Sequence, residues 1–250
     1  VVRIMSNSKP TMILTGASRG IGHATVRRFS EAGWRVITCS REDVPIECKR
    51  DPNWTHHIPA DLGNKTSLSG FVERAKTLIE ADGLTALINN AAVSPKTPYK
   101  ERLGCLNGDE NAWRDVFELN FFVPLFLCRA FGSALHRGRG AVVNVTSIAG
   151  HSSHPFAGSA YSVSKAALSA LTRELAVEFA ELGVRVNAIA PGEIDTEMVG
   201  PEYESLIPRI PMNRMGSAAE VASAIYQLCN EDFNYVTGSE IFVTGGQHLL

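Results

Sequence analysis

The sequence predicts an α/β fold: a single domain built on a doubly wound parallel sheet of about seven strands, with helices on both faces. Short apolar runs alternate with longer amphipathic ones from residue 11 onward, a pattern that buries a parallel sheet between two helix layers. A glycine-rich turn, Gly16, Gly20 and Gly22, links the first apolar run to the first amphipathic one. No internal repeat, low-complexity tract or interdomain linker divides the 250 residues, a length that one α/β domain often fills.

Residues 1–10 mix Arg3, Asn7 and Lys9 with a few apolar side chains, too short and polar a stretch for a signal peptide or membrane span. They are expected to be a loose leader to a domain spanning 11–250. Residues 11–15, 35–39, 55–58, 86–89, 141–146, 185–190 and 240–243 read as strands. Residues 20–32, 65–81, 109–136, 159–181 and 218–230 read as helices. The connection 41–53 carries Pro45 and Pro52, so any helix there should be short or absent. Segment 193–215, with Pro201, Pro208 and Pro211 and little periodicity, reads as a substrate lid over a compact or open pocket.

Composition narrows the partners. With 44% hydrophobic and 20% charged residues, a net charge of −2 and no long run of one sign, nothing points to nucleic acid or an anionic membrane. Cys39, Cys48, Cys105, Cys128 and Cys229 are scattered, without C-x-x-C or nearby histidines at metal-ligand spacing. A reduced, cytoplasmic setting and no metal are the simpler expectations.

The chemistry concentrates at Tyr161 and Lys165, four residues apart on a predicted helix and therefore on one face. Holding a phenol of pKa about 10 as phenolate near neutral pH costs about 4 kcal/mol. A cation within roughly 4 to 6 Å favours the phenolate and can lower its pKa by about one to three units, making the tyrosine a workable general acid or base. Ser147 ends the run 141–145, where a strand would deliver its hydroxyl to the carboxyl edge of the sheet. The three residues point to proton transfer to or from an alcohol or carbonyl oxygen.

Ser147, Tyr161 and Lys165, with the stretch Thr15-Gly16-Ala17-Ser18-Arg19-Gly20-Ile21-Gly22, resemble the short-chain dehydrogenase/reductase family. Further landmarks follow in family order over nearly the whole chain: Asp61, Asn89-Asn90-Ala91-Ala92, Asn120, Pro191-Gly192 and Gly245-Gly246. They look most like the 3-oxoacyl-carrier-protein reductase branch, although sugar, polyol and steroid enzymes share them. The resemblance implies a Rossmann-type fold, a nicotinamide cofactor and often a tetramer, here through 109–136 and 159–181, which carry more apolar residues than one core-facing stripe requires. Trp113, Phe117, Phe121, Phe122 and Phe126 read as core and subunit-contact packing.

The glycine turn at Gly16, Ser18, Arg19, Gly20, Ile21 and Gly22 is expected to approach a pyrophosphate at a helix N-terminus. After the second strand, Ser40 and Arg41 fall where NADP-preferring members place phosphate-binding residues, and Arg19 adds a cation, so NADP(H) is expected over NAD(H). Glu42 would be a ribose acceptor if the register moves by one. By the same resemblance Asp61 and Leu62 lie near the adenine, Asn90 and Ala91 contact cofactor, and Pro191, Gly192, Ile194 and Thr196 run beside the nicotinamide. Ala92 replaces the usual glycine, and the interval from Ser147 to Tyr161 is about a residue longer than is common in the family. Asn120 would hold a water linking Lys165 to solvent; Lys165 would also bind the nicotinamide ribose. His151 and His154 read as solvated loop residues with at most a substrate contact.

The expected activity is interconversion of a carbonyl and a secondary alcohol on a small molecule, with catalytic Asn120, Ser147, Tyr161 and Lys165. A catalytically silent cofactor-binding regulator or scaffold, an NAD-dependent sugar or polyol dehydrogenase, and a sugar epimerase or dehydratase on the same fold remain as alternatives.

Overall fold

The computed structural model describes residues 9–43, 51–54, 56–97, 99, 101–197 and 200–250. Most of the expected leader, and most of the 41–53 connection with Pro45, lie outside the described residues. Seven parallel strands form one sheet: β1 (Thr11–Thr15), β2 (Arg35–Ser40), β3 (His56–Pro59), β4 (Ala86–Asn89), β5 (Ala141–Val145), β6 (Arg185–Pro191) and, after a separate pair described below, Glu240–Val243. Their spatial order is β3-β2-β1-β4-β5-β6 with Glu240–Val243 at the far edge. The order reverses between β1 and β4, the crevice where doubly wound sheets bind ligands.

Strands β1, β4 and β5 are buried at every residue, which is why they read as continuous apolar runs without alternation. The third strand is described from His56 to Pro59, and Thr55 of the expected 55–58 lies outside the described residues; its Ile58 packs into the core while His56 and His57 stay partly exposed, so apolar content marked it weakly. Helices α1 (Gly20–Glu31), α2 (Lys65–Leu78), α3 (Glu110–Phe117), α4 (Val123–Gly138), α5 (Ser159–Ala180) and α6 (Ala218–Cys229) cover the two faces. One core layer gathers Ile13, Phe71, Leu127, Phe131 and Leu175; the opposite one gathers Met12, Val26, Phe29, Val143 and Ile225.

Two features depart from the sequence reading. The expected helix 109–136 is interrupted by a π-helical turn, Glu118–Phe122, that buries Asn120 before α4 resumes with Pro124 in its first turn. The run from Glu110 to Gly138 is long and apolar enough to cross a bilayer, but Val116, Val123, Leu127, Phe131 and Leu135 point into the core, as in a buried helix of a globular domain. At the two ends of segment 193–215 lies a two-stranded parallel pair, β7 (Ile194–Asp195) and β8 (Gly216–Ser217), so the edge strand Glu240–Val243 becomes β9. Between the pair lies the 3-10 segment Pro201–Arg209.

Candidate active site

At the crossover between β1 and β4, a cleft of about 270 Å³ collects residues from the segments that follow six strands, β1 to β6. One end is the glycine turn. Gly16 has φ +74° and Gly20 φ +55°, conformations that side chains rarely adopt, and a Cβ on Gly22 would lie 1.9 Å from the Gly16 carbonyl oxygen. Arg19 caps α1 without a side-chain hydrogen bond and no acid occupies the first turn, so free N–H groups and the positive end of the helix face the cleft. Ser18, Arg19, Ile21 and Asn90 line the same wall. This is a cradle that fits a pyrophosphate.

Asn90 lines the cleft and is also engaged within the fold. Its amide donates to the carbonyls of Thr15 and Gly16, both at 3.0 Å, so the side chain clamps the glycine turn. Thr15 Oγ1 in turn accepts from the backbone of Asn90 and Ala91, each at 3.1 Å. Ala92 lines the cleft.

Beyond the carboxyl ends of β2 and β3 lie Ser40, exposed Arg41 and exposed Asp61, with buried Leu62. Ser40 Oγ donates to the Glu42 carbonyl at 2.6 Å, and the same carbonyl lies 2.9 Å from His57 Nε2. His57 therefore shapes the turn that presents Arg41, a link invisible in the sequence because His57 comes from the next strand. Arg19 reaches Glu197 on the opposite lip at 4.0 Å, a loose exposed pair of little energetic weight.

At the other end, Ser147, Tyr161 and Lys165 converge as expected. Ser147 accepts from the Ala149 N–H at 3.1 Å, and its hydroxyl is near enough to the Tyr161 phenol to favour the phenolate. Lys165 Nζ, buried, donates to the Val145 carbonyl at 2.6 Å and sits 5.6 Å from the centre of the Tyr161 ring. Asn120 is fully buried in the π turn. Its Nδ2 donates to the Val93 carbonyl (3.0 Å) and Ser164 Oγ (3.1 Å), and its Oδ1 accepts from the Val93 N–H (2.9 Å). The side chain thus ties the loop after β4 to α5, and any relay through this residue would have to use another of its groups.

The electrostatics correct one expectation. Burial pushes the Tyr161 phenol up, outweighing the Ser147 hydrogen bond, and nearby Glu193 pushes the same way. Burial also lowers the Lys165 ammonium to about 7, so a standing cation does not depress the phenol in the chain alone. Spacing alone missed this because desolvation disfavours both charged forms. The consequence for stability has a definite sign. Between the folded value near 7 and the unfolded value near 10.5, the unfolded chain binds more protons, so stability rises with pH across that window. Lys165→Met should therefore stabilise the cofactor-free chain at pH 6 by about 1 to 4 kcal/mol, with the gain shrinking toward pH 9. Urea unfolding at both pH values checks this; parallel stability curves for the two proteins would contradict it.

The loop histidines also differ from the reading. His154 is buried and paired with Glu193, and His151 Nε2 lies 3.1 Å from Glu240 Oε2. Tyr203 of the 3-10 segment leans on His154, ring centres 5.8 Å apart, and Lys96 pairs with Glu202 at 2.8 Å on the rim. Glu193, Tyr203 and Lys96 line the cleft although no sequence signal marked them, since long-range packing brings them there. Pro191, Gly192, Ile194 and Thr196 border it. Among the described residues no cluster could hold a metal ion.

A family model described as enoyl-(acyl carrier protein) reductase matches residues 16–248. Protein FixR of Bradyrhizobium diazoefficiens is 47% identical over 99% of this chain and 90% of its own length. Galactitol 2-dehydrogenase (L-tagatose-forming) of Cereibacter sphaeroides is 34% identical over 93% of this chain and 92% of its own length. A crystal structure of a short-chain dehydrogenase/reductase family oxidoreductase from Brucella ovis, in complex with a partially ordered NAD, superposes with a TM-score of 0.82 at 47% identity, covering 95% of this chain and all of the other.

Proposed function

The chain belongs to the short-chain dehydrogenase/reductase family, and from that premise we propose that it transfers hydride between a nicotinamide cofactor and a small carbonyl or secondary alcohol, with Tyr161 moving the proton. The observation that carries the reading is the meeting of Ser147, Tyr161 and Lys165 at one end of a cleft whose other end is an unblocked helix N-terminus. A bound dinucleotide would supply the hydride acceptor or donor. The glycine turn would hold its phosphates, Lys165 its nicotinamide-side ribose, and Ile194 and Thr196 its carboxamide.

Ser147 orients the substrate oxygen, and Tyr161 gives it a proton in reduction or takes one in oxidation. Asn120 fastens the loop that carries Val93 against α5, fixing the wall beside Lys165. Because burial pushes the phenol up, the proton-donating form of Tyr161 is present throughout the neutral range, which suits carbonyl reduction.

NADP is the preferred dinucleotide in this reading. Arg41 and Arg19 line the adenosine side of the cleft and would pair with a 2'-phosphate. The four described cysteines are free, in keeping with a cytoplasmic setting. Exposed Phe122 and Phe126 on the α3–α4 run and Val163 and Val177 on α5 support assembly through these helices into a tetramer. Light scattering at micromolar concentration should give the mass of four chains, and a monomeric mass would count against it.

A screen of carbonyl compounds with reduced cofactor, followed at the nicotinamide absorbance band, tests the activity. Steady loss of absorbance is expected; tight cofactor binding without consumption would favour the silent regulator.

A further inference from the structure

The structure holds a nearly buried carboxylate in the wall of the cleft that the proton transfer does not use. Glu193 is 4% exposed, yet it lines the cleft together with Ser147 and Tyr161. A buried carboxylate is costly unless its oxygens are hydrogen-bonded.

Its partners are one-sided. His154 Nδ1 accepts from the Phe156 N–H (3.1 Å) and the Ala157 N–H (2.9 Å). Those two donors require a bare nitrogen at Nδ1, which leaves the ring proton on Nε2, 2.9 Å from Glu193 Oε1. Gln247 Nε2 donates to the same oxygen at 3.1 Å. Among the described residues no donor reaches Glu193 Oε2. The dyad is further fixed from both sides: the Gly216 N–H donates to the Glu193 backbone carbonyl at 2.9 Å, and Tyr203 packs on the His154 ring. The neighbouring lysines offer no competing partner, since Lys165 donates to Val145 and Lys96 pairs with Glu202.

A rigid acceptor with an open oxygen, beside the reacting phenol, calls for a hydrogen-bond donor from the substrate. We propose that Glu193, held by His154, is a specificity-determining residue that accepts a hydrogen bond from a second hydroxyl near the reacting carbon, so that the chain acts on diols, polyols and their hydroxyketones rather than on monofunctional alcohols or acyl thioesters. The inference rests on the carbonyl–alcohol reading of Tyr161. A site built to bond a hydroxyl rejects the analogue lacking it far more strongly than an apolar pocket rejects a missing methylene, because its own polar group is left unpaired.

The test compares cis-cyclohexane-1,2-diol with cyclohexanol, and 2-hydroxycyclohexanone with cyclohexanone, by rate and by binding to the cofactor-loaded chain in calorimetry. The wild type should prefer the hydroxylated member of each pair by at least about tenfold. Glu193→Gln, which keeps the shape and removes the charge, should shrink that preference by at least about fivefold while dinucleotide binding, read by fluorescence, stays intact. The wild-type pairs decide the matter even if the variant does not fold. Preference within about twofold in both rate and binding, or an unaltered preference in a folded Glu193→Gln chain, overturns the proposal. Preferential binding of the hydroxylated compounds with no nicotinamide reduction or oxidation would sustain the Glu193 site and defeat the carbonyl–alcohol reading instead.

Discussion

Tyr161→Phe should lower turnover by at least about a hundredfold while leaving dinucleotide affinity nearly unchanged. The substitution removes one hydroxyl and keeps the ring that packs beside Ser147 and Lys165. The proton donor is lost, and the nearby Lys165 Nζ donates to the Val145 carbonyl, so it is poorly placed to substitute. Stopped-flow single turnovers separate the chemical step from product release and give the comparison directly. Retention of most of the wild-type rate would sink the proposed role of the tyrosine.

Arg41→Asp should weaken NADP binding by about 2 to 5 kcal/mol and leave NAD binding unchanged or slightly improved. The argument is local. Arg41 is exposed on a turn held by the Ser40 hydroxyl and His57 at the Glu42 carbonyl, so the replacement changes charge without disturbing the core. Calorimetric titration with both dinucleotides measures the difference. Equal wild-type affinities that the variant does not alter would place the selecting residue elsewhere, with Glu42 the first alternative.

What the sequence made legible follows the physics of each signal. Buried parallel strands are apolar throughout, so β1, β4 and β5 stood out, whereas β3, with two histidines and an exposed Pro59, was weakly marked at its carboxyl end. Gly16, Gly20 and Gly22 were legible because the tight turn leaves no room for a side chain. Tyr161 and Lys165 share a helix face, so their meeting followed from spacing, and Ser147 from its place at the end of a strand. The π turn around Asn120 gave no periodic signature, since one extra residue in a helical run scarcely alters an apolar pattern. The β7–β8 pair is only two residues long in each strand, below the reach of pattern. The His154–Glu193 pair joins residues 39 apart in the chain, and the protonation preferences of Tyr161 and Lys165 depend on burial that no spacing encodes.

The central claim is hydride transfer at this cleft, and isotope transfer tests it most directly. Reduced dinucleotide carrying deuterium at C4 of the nicotinamide, in its transferable position, is incubated with the chain and 2-hydroxycyclohexanone, and the product is read by mass spectrometry. The account predicts a diol bearing one deuterium on its new carbinol carbon, with Tyr161→Phe forming it at least about a hundredfold more slowly. Saturating cofactor binding with no deuterium in any product, across hydroxyketones and simple ketones alike, would contradict it and identify the chain as a binding protein on an enzyme's fold.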